Sequence, residues 1–244
     1  MQNDRNGGFS RMTLVVTGVA MALLGALSAW NWQASRPSTI EKVVHDYVLA
    51  HPEILPEAMA NLRKREDAKQ LAGIAADLKR PFPGAVLGNP AGTVTLVEFT
   101  DYACTYCRQS LPDVARLIAA NPDLKVVIRE YPILTAESAD AARMALAAAQ
   151  QGKFAQFHDA MFAAGQVTPA TIEASATSAG VDLAAARTAI ASGQFETQLQ
   201  NNIFLAQNLG ITGPPSWVVG DRALNGAVGA EAIGRAVAEA REAG

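Results

Sequence analysis

The stretch of sequence that decides the fold is VEFTDYACTYC, residues 97–107. It continues an apolar run over 93–100, whose β-branched and aromatic residues predict a buried strand. It leads into residues 108–120, which predict a helix. The two cysteines of this 244-residue chain, Cys104 and Cys107, therefore stand where a strand gives way to a helix.

The spacing of Cys104 and Cys107 predicts a site of dithiol–disulfide exchange. A cysteine at a helix N-terminus meets unpaired N–H groups and the positive end of the helix dipole, and both favour the thiolate. In Cys-x-x-Cys settings the pKa of the first cysteine falls from about 8.5 to roughly 3.5–7.5. A Cys104 thiolate would attack a disulfide, and the Cys107 thiol, one turn later, would resolve the mixed disulfide.

Three other interpretations of the cysteine pair stay open. Half of a zinc site would need two further Cys or His ligands, but there is no third cysteine, and His45, His51 and His158 are scattered. A structural disulfide over so short a loop would remove little chain entropy. The third interpretation is a pair of inert core thiols, for which a helix start is an unusual place. We expect no bound metal and no cofactor.

The composition and charge of the chain limit the classes of protein to which it can belong. Half of the residues are apolar and the net charge is −3, which suits one sizeable domain with additional segments. The slight acidity and the lack of a basic stripe argue against nucleic acid as a partner. Abundant alanine and few aromatic residues predict a largely helical chain.

The N-terminal residues predict either a membrane anchor or an export signal. Residues 1–11 carry two arginines and are expected to lie in the cytoplasm, while residues 12–32 carry no charge. About 20 residues at 1.5 Å each span a hydrocarbon core of about 30 Å, and Trp30 and Trp32 suit the interface. Small residues at 26–29 offer the alternative of a cleaved signal peptide. Either interpretation exports the rest of the chain to a compartment where disulfides persist, and we favour the uncleaved inner-membrane anchor.

Residues 33–80 predict a helical segment that precedes the main domain. Apolar residues recur at helical spacing over 40–48 and again over 54–78. A charged stretch at 63–67 interrupts the second stripe, and we interpret it as a joint. Such stripes must pack on something, either the chain's own domain or a second copy of the chain.

Residues 81–244 predict an α/β domain that carries a helical insertion. The pattern over 136–209 is helical throughout, with breaks that indicate four or five helices. A closing helix is predicted over 230–242. Strands are predicted at 93–100, 124–130, 216–219 and 224–228.

With these residues in place, the chain resembles the DsbA-like branch of the thioredoxin superfamily across nearly all of 81–244. The resemblance is carried by residues 88–90, 97–107, 157–162 and 209–217. Residues 38–80 are similar to the N-terminal segment of ScsC-like disulfide isomerases, which in some of them forms a trimerisation stalk. The resemblance implies a thioredoxin fold with a helical insertion, preceded by an N-terminal helical segment and a transmembrane helix.

The resemblance also assigns roles by position. It makes Pro215 the cis-proline that faces the cysteines, where sequence alone indicates an ordinary turn or edge-strand proline. Glu98 matches the buried acid that assists proton transfer, the alternative being a surface glutamate on a strand. Thr105, Tyr106 and Pro214 would contact the substrate. Pro214 departs from the family pattern, because this position usually offers a backbone N–H for strand addition and proline has none.

These observations predict a periplasmic thiol–disulfide oxidoreductase that acts on exported proteins with cysteines. The motif leaves open whether it oxidises, isomerises or reduces them, because direction depends on the potential of the pair and on its redox partner, which we expect in the membrane. The stalk favours an isomerase that works as a homotrimer. A copper(I)-binding or copper-tolerance protein is the alternative, since soft thiolates select copper(I); a trimer that only docks partners is another. His158 is expected to be structural.

Overall fold

The structure is a computed structural model that describes residue 16, residues 18–26 and residues 39–243. The described residues fall into two compact units, one up to Ala60 and one from Asn61 onward. Residues 18–26 are helical. In the described ranges, no helix has the length and apolar character needed to cross a membrane. The anchor predicted at 12–32 falls mostly outside the described residues, and the N-region at 1–11 does so entirely.

Two helices precede the sheet, α1 over Thr39–Ala50 and α2 over Ile54–Lys79. Pro52 separates them, because proline disfavours helical backbone in the residue before it. Helix α2 is continuous through 63–67, where the sequence analysis placed a joint; Arg, Lys and Glu are good helix formers. Large apolar side chains are exposed on α1 and early α2, namely Ile40, Val43, Val44, Tyr47, Leu49, Leu55, Met59 and Leu62.

The domain begins earlier in the chain than the sequence analysis proposed. Leu71 and Leu78 of α2 are buried in one apolar cluster with residues of the sheet. The guanidinium of Arg129 donates hydrogen bonds to backbone carbonyls at the C-terminus of α2, including that of Leu78 at 3.0 Å. Residues 61–80 therefore belong to the compact domain, and the boundary predicted at Pro81 moves to Asn61.

The sheet is mixed and five-stranded, in the order β1-β3-β2-β4-β5. Its central strands, β2 and β3, are parallel, and every other neighbouring pair is antiparallel. The strands are β1 (Val86–Gly88), β2 (Val94–Thr100), β3 (Leu124–Glu130), β4 (Ser216–Val219) and β5 (Arg222–Asn225). The three residues of β1 were not predicted. Strand β5 was predicted at 224–228, but Gly226 at φ 85° turns the chain out of the strand.

Helix α3 crosses over between the two parallel strands, as parallel pairing requires. A block of five helices is inserted between β3 and β4, within the predicted range 136–209, and α9 closes the chain. The helices are α3 (Thr105–Ala120), α4 (Ala136–Gln150), α5 (Phe154–Ala163), α6 (Pro169–Ser178), α7 (Leu183–Ala191), α8 (Glu196–Asn208) and α9 (Gly229–Ala243).

Each face of the sheet has its own apolar core, because alternate residues of a strand point to opposite faces. Leu96 and Ile128 lie in the core that contains both cysteines and the helical insertion. Val97 and Phe99 lie in the other core, with the end of α2. The arrangement places the cysteine loop at the carboxyl end of β2, over the first core.

Candidate active site

Cys104 is the N-cap of α3, so the helix begins at Thr105 and not at Arg108 as predicted. Its extended backbone directs Sγ at the first turn, where it accepts the N–H of Cys107 at 3.2 Å. The first turn of α3 holds no acidic residue, and nothing there offsets the positive end of the dipole. Both cysteines are buried free thiols.

The environment separates the two thiols chemically. The hydrogen bond with the Cys107 thiol lowers the pKa of Cys104 to about 7 against the effect of burial, and the N–H groups of Cys107 and Tyr106 act in the same direction. Burial, together with the same thiol–thiol hydrogen bond, raises the pKa of Cys107 far above its ordinary value. Near neutral pH, Cys104 is thus partly a thiolate and Cys107 a protonated thiol.

A proline loop faces the cysteine pair. The peptide bond between Pro214 and Pro215 is cis, as the family resemblance predicted. The Cys104 thiol donates to the carbonyl oxygen of Pro214 at 3.4 Å. The carbonyl of Pro215 accepts the N–H of Gly226 at 2.9 Å, which fixes this loop against the end of β5.

Glu98 lies in the core beneath the cysteines. It is 1% exposed and pairs in register with Ile128, on the face that packs against the cysteine helix. Burial, reinforced by the charge of Cys104 and opposed by the Thr100 hydroxyl, raises the pKa of Glu98 to about 8. The same hydroxyl also lowers the pKa of Cys107.

The two residues between the cysteines face outward. Both Thr105 and Tyr106 are exposed, and the Tyr106 ring is 63% exposed. The predicted site residues therefore form one site: Cys104, Cys107, Glu98 and the proline loop around one junction, with Thr105 and Tyr106 on its surface.

Asp101 is a part of the site that the sequence analysis missed. Its Oδ1 accepts the N–H of Ala103 at 2.9 Å and the hydroxyl of Ser138 at 2.7 Å. Its Oδ2 accepts the N–H groups of Ile133 and Leu134 at 2.9 and 3.0 Å. One buried carboxylate thus ties the cysteine loop to the segment after β3. An aspartate just after a strand is a known turn signal, but its distant partners cannot be read from sequence.

A second group comprises Tyr102, Glu130 and His158, of which the sequence analysis considered only His158, and we name it the buried triad. The Tyr102 hydroxyl lies 3.1 Å from Glu130 Oε1 and 3.2 Å from His158 Nδ1, within hydrogen-bond distance of both. His158 is fully buried, and burial lowers its pKa to about 4. The imidazole is therefore neutral at physiological pH.

Comparison with known families identifies the chain. Residues 95–238 match the DSBA-like thioredoxin domain, and residues 38–69 match the copper resistance protein ScsC N-terminal domain. The chain belongs to the DSBA-like thioredoxin family, and the thioredoxin-like fold predicted from the sequence is confirmed.

Solved structures agree with this assignment. A thioredoxin-like oxidoreductase from Silicibacter pomeroyi DSS-3 is 40% identical, with a TM-score of 0.62 over 65% of this chain and 92% of that one. The thiol–disulfide exchange protein alpha-DsbA2 from Wolbachia pipientis is 26% identical, with a TM-score of 0.66 over 73% and 97%. A linker-deletion mutant of Proteus mirabilis ScsC is 26% identical, with a TM-score of 0.64 over 86% and 99%. The chain is thus similar, over most of their length, to a thioredoxin-like oxidoreductase and a thiol–disulfide exchange protein.

The chain is also similar to part of a larger curated protein. It is 30% identical over 158 residues to the Na(+)/H(+) antiporter NhaA 1 of Salinispora arenicola. The match covers 64% of this chain and 24% of the antiporter, so the chain spans about a quarter of the length of the curated relative.

Proposed function

We propose that this protein is a periplasmic thiol–disulfide oxidoreductase that reshuffles disulfides in exported proteins through Cys104 and Cys107. The observation that carries the proposal is the asymmetry of the pair. Cys104 lies at a helix start with its pKa lowered to about 7, and Cys107 is a buried thiol whose pKa is raised. This pairing supplies a nucleophile and a resolving thiol.

The cycle follows from these states. The Cys104 thiolate attacks a substrate disulfide, forming the mixed disulfide and releasing one substrate sulfur as a thiolate that takes up a proton. If a second substrate thiolate attacks the substrate sulfur of the mixed disulfide, a new substrate disulfide forms and the Cys104 thiolate is regenerated, which is isomerisation. If Cys107 loses its proton and attacks Cys104 Sγ, the substrate leaves reduced and the Cys104–Cys107 disulfide remains. Running this second branch backwards oxidises a substrate dithiol.

We assign Glu98 as the acid–base group for Cys107. Its carboxyl is buried on the same face as the cysteines, and its pKa of about 8 suits proton exchange near neutral pH. It takes the Cys107 proton during resolution and returns it when the disulfide is reopened.

The surface proposed to bind substrate has exposed apolar side chains and lacks one backbone hydrogen-bond donor. Tyr106, Ile133 and Leu134 are exposed, and Asp101 holds the last two beside the cysteine loop. Pro214 lacks the N–H that strand addition would use, a loss of roughly 0.5–1.5 kcal/mol. We expect short-lived substrate complexes held mainly by apolar contact with Thr105, Tyr106 and their surroundings.

We further propose export, anchorage in the inner membrane through residues 12–32, a redox partner in that membrane and assembly as a homotrimer. The support for assembly is the set of exposed apolar side chains on α1 and early α2, such as Val43, Tyr47 and Met59. The match of residues 38–69 to the ScsC N-terminal domain covers the same helices. Three heads around one substrate would raise the local thiol concentration, which suits isomerisation.

Refolding of a scrambled disulfide protein tests the activity. The wild-type chain should restore native disulfides, and Cys107→Ser should accumulate mixed disulfides with the substrate on non-reducing gels. Cys104→Ser should trap nothing and restore nothing. Mixed disulfides that form through Cys107 in the Cys104→Ser variant would refute the assignment.

Copper(I) binding is the second candidate function, because the matched N-terminal family is named for copper resistance. Two thiols are available to copper(I). Among the described residues, no group of three or more His, Cys, Asp or Glu is placed to hold a metal ion. Competition titration with a copper(I) chelator decides the question: stoichiometric binding by a chain with no disulfide exchange would favour copper binding over the proposed activity.

A further inference from the structure

The buried triad lies close to the proposed acid–base group. In the parallel pairing of β2 with β3, Thr100 faces Glu130 and Glu98 faces Ile128. Residues two apart on a strand share a face, so Glu98 and Glu130 lie on the same side of the sheet. Both carboxyls are 1% exposed. Two like charges so close in a dry interior cannot both form without a large cost.

With the Glu130 proton either absent or on Oε1, the hydrogen bonds of the buried triad can be completed in two arrangements. The Tyr102 hydroxyl has one hydrogen and two partners, Glu130 Oε1 and His158 Nδ1. If Glu130 is ionised, Tyr102 donates to Glu130 and His158 donates to Tyr102. If Glu130 is protonated, it donates to Tyr102, and Tyr102 donates to an unprotonated Nδ1. A neutral imidazole serves either arrangement by its choice of tautomer.

The atoms left without protein partners favour the protonated arrangement. Glu130 Oε2 and His158 Nε2 are buried and have no hydrogen-bond partner among the described residues. An ionised Glu130 would keep part of its charge on that unpaired oxygen, and a buried unpaired charge costs far more than a buried neutral group. A protonated Glu130 leaves only a neutral oxygen and one imidazole N–H unpaired.

Within the part of the chain that the structure describes, no positive charge compensates a negative charge on Glu130. Burial raises its pKa, and the carboxylates of Asp101 and Glu98 raise it further against the Tyr102 hydrogen bond. From α5, His158 is neutral, and the exposed Asp159 acts on Tyr102 as another negative group. The neighbouring Arg129 donates to carbonyls at the end of α2 and to Asn202, on the other face of the sheet.

We propose that Glu130, held by Tyr102 and His158, keeps its proton throughout the catalytic cycle. Glu98 alone then exchanges a proton with Cys107. The proposal rests on the role assigned to Glu98 above. Glu130 is a positioning residue: its O–H anchors Tyr102, which stands two residues before Cys104. It also leaves Glu98 as the first of the two carboxyls to ionise.

Carboxyl NMR of the full-length chain labelled with 13C-glutamate tests the proposal directly. Between pH 5 and 10, Glu98 should titrate near pH 8, while the Glu130 signal stays that of a protonated acid. Glu98→Gln should remove the transition near pH 8 and leave the Glu130 signal that of a protonated acid. Glu242→Gln is the control, which removes an exposed carboxyl near the end of α9 and should leave both buried signals unchanged.

Kinetics distinguish a Glu130 that keeps its proton from one that exchanges it. Glutamine copies a protonated glutamate, so Glu130→Gln should resolve a mixed disulfide within about twofold of the wild-type rate and with the same pH profile. Glu98→Gln should slow resolution roughly 10-fold or more. A carboxylate signal for Glu130 at pH 7, or a Glu130→Gln variant as slow as Glu98→Gln, would overturn the proposal. If Glu98→Gln resolves at the wild-type rate while the titrations behave as expected, the role of Glu98 as the base fails and the protonated state of Glu130 stands.

Discussion

At the scale of single residues, the two cysteines differ although they share one helical turn. Cys104 caps the helix and accepts an N–H, whereas Cys107 is fully buried one turn later. The same spacing thus produces opposite shifts of the two pKa values. The consequence is a division of labour that can be measured on each thiol.

Alkylation with iodoacetamide should show this difference. Because the pKa of Cys104 is about 7, its alkylation rate should rise about tenfold per pH unit below pH 7 and level off above it. Cys107 should stay unmodified over the same range, as mass spectrometry of the alkylated peptide can establish. The Cys107→Ser variant serves as the control with Cys104 alone. Equal rates at the two thiols would contradict the assignment.

The buried Glu98 carboxyl should make the folded protein less stable as the pH rises. Its pKa is about 8 in the folded state against an ordinary value of 4.5, so folding favours its protonated form and stability is lost between those two pH values. Glu98→Gln should therefore be more stable than the wild type by on the order of 3 kcal/mol at pH 7, and equal to it at pH 4.5. Urea unfolding at several pH values measures the difference, with the exposed Glu242→Gln as control. A constant difference across this range would contradict the buried, protonated state.

Pro214 should limit how long the substrate stays bound. Replacing it with threonine restores a backbone N–H next to the carbonyl that Cys104 contacts. We expect a mixed disulfide with a model peptide to dissociate more slowly, by up to about tenfold for one recovered hydrogen bond. Stopped-flow release of a labelled peptide provides the measurement. An unchanged release rate would show that this N–H is irrelevant to substrate binding.

At the scale of elements, the active site depends on how the loop before α3 is held. The loop's regular hydrogen bonding ends with β2, and Asp101 replaces it with four side-chain hydrogen bonds to Ala103, Ile133, Leu134 and Ser138. The carboxylate therefore connects three elements, β2, the cysteine helix and α4. It also opposes ionisation of Cys104 through its negative charge.

Asp101→Asn should both destabilise the fold around the cysteine loop and change the pKa of Cys104. Asparagine offers one oxygen where two accept, so about two hydrogen bonds to a charged group are lost, at a cost of roughly 3–6 kcal/mol. With the charge removed, the Cys104 pKa should fall below about 7. Thermal unfolding and thiolate absorbance measure the two effects, and Glu137→Gln is the control. Lost stability with an unchanged thiolate titration would leave Asp101 a purely structural role.

At the scale of the whole molecule, α2 contributes to two packing environments along its length. Its early apolar side chains, Leu55, Met59 and Leu62, are exposed, while Leu71 and Leu78 are buried against the sheet. The second half of the helix is therefore part of the domain. The first half is available for the self-association proposed above.

Two truncations should separate these halves. A chain that starts at Asn61 should be a folded monomer that oxidises dithiols but loses most of its ability to reshuffle scrambled disulfides. A chain that starts at Pro81 should be much less stable, because it exposes the sheet face around Val97 and leaves Arg129 without its carbonyl partners. Light scattering and thermal unfolding test both, with residues 33–244 expected to be a trimer. A monomeric 33–244 chain would refute the trimer.

Much of the fold and the central pair of the site could be predicted, because they depend on local patterns. The spacing of Cys104 and Cys107, the apolar strands at 124–130 and 216–219 and the helical block over 136–209 all concern neighbouring residues. Family resemblance supplied Pro215. The three-residue strand β1 was missed because it is too short to show a pattern, and it is defined by its pairing with β3.

By itself the sequence determined where the thiols stand and what chemistry they do, since a strand-to-helix junction and a helix N-terminus are local features. Only the tertiary structure decided which polar groups are buried and which of them form hydrogen bonds with one another. Tyr102 reaches Glu130 across 28 residues and His158 across 56, and Arg129 reaches the end of α2 across 51. Ionisation depends on burial and on partners far along the chain. The proton chemistry of the site and the domain boundary at Asn61 therefore follow from packing.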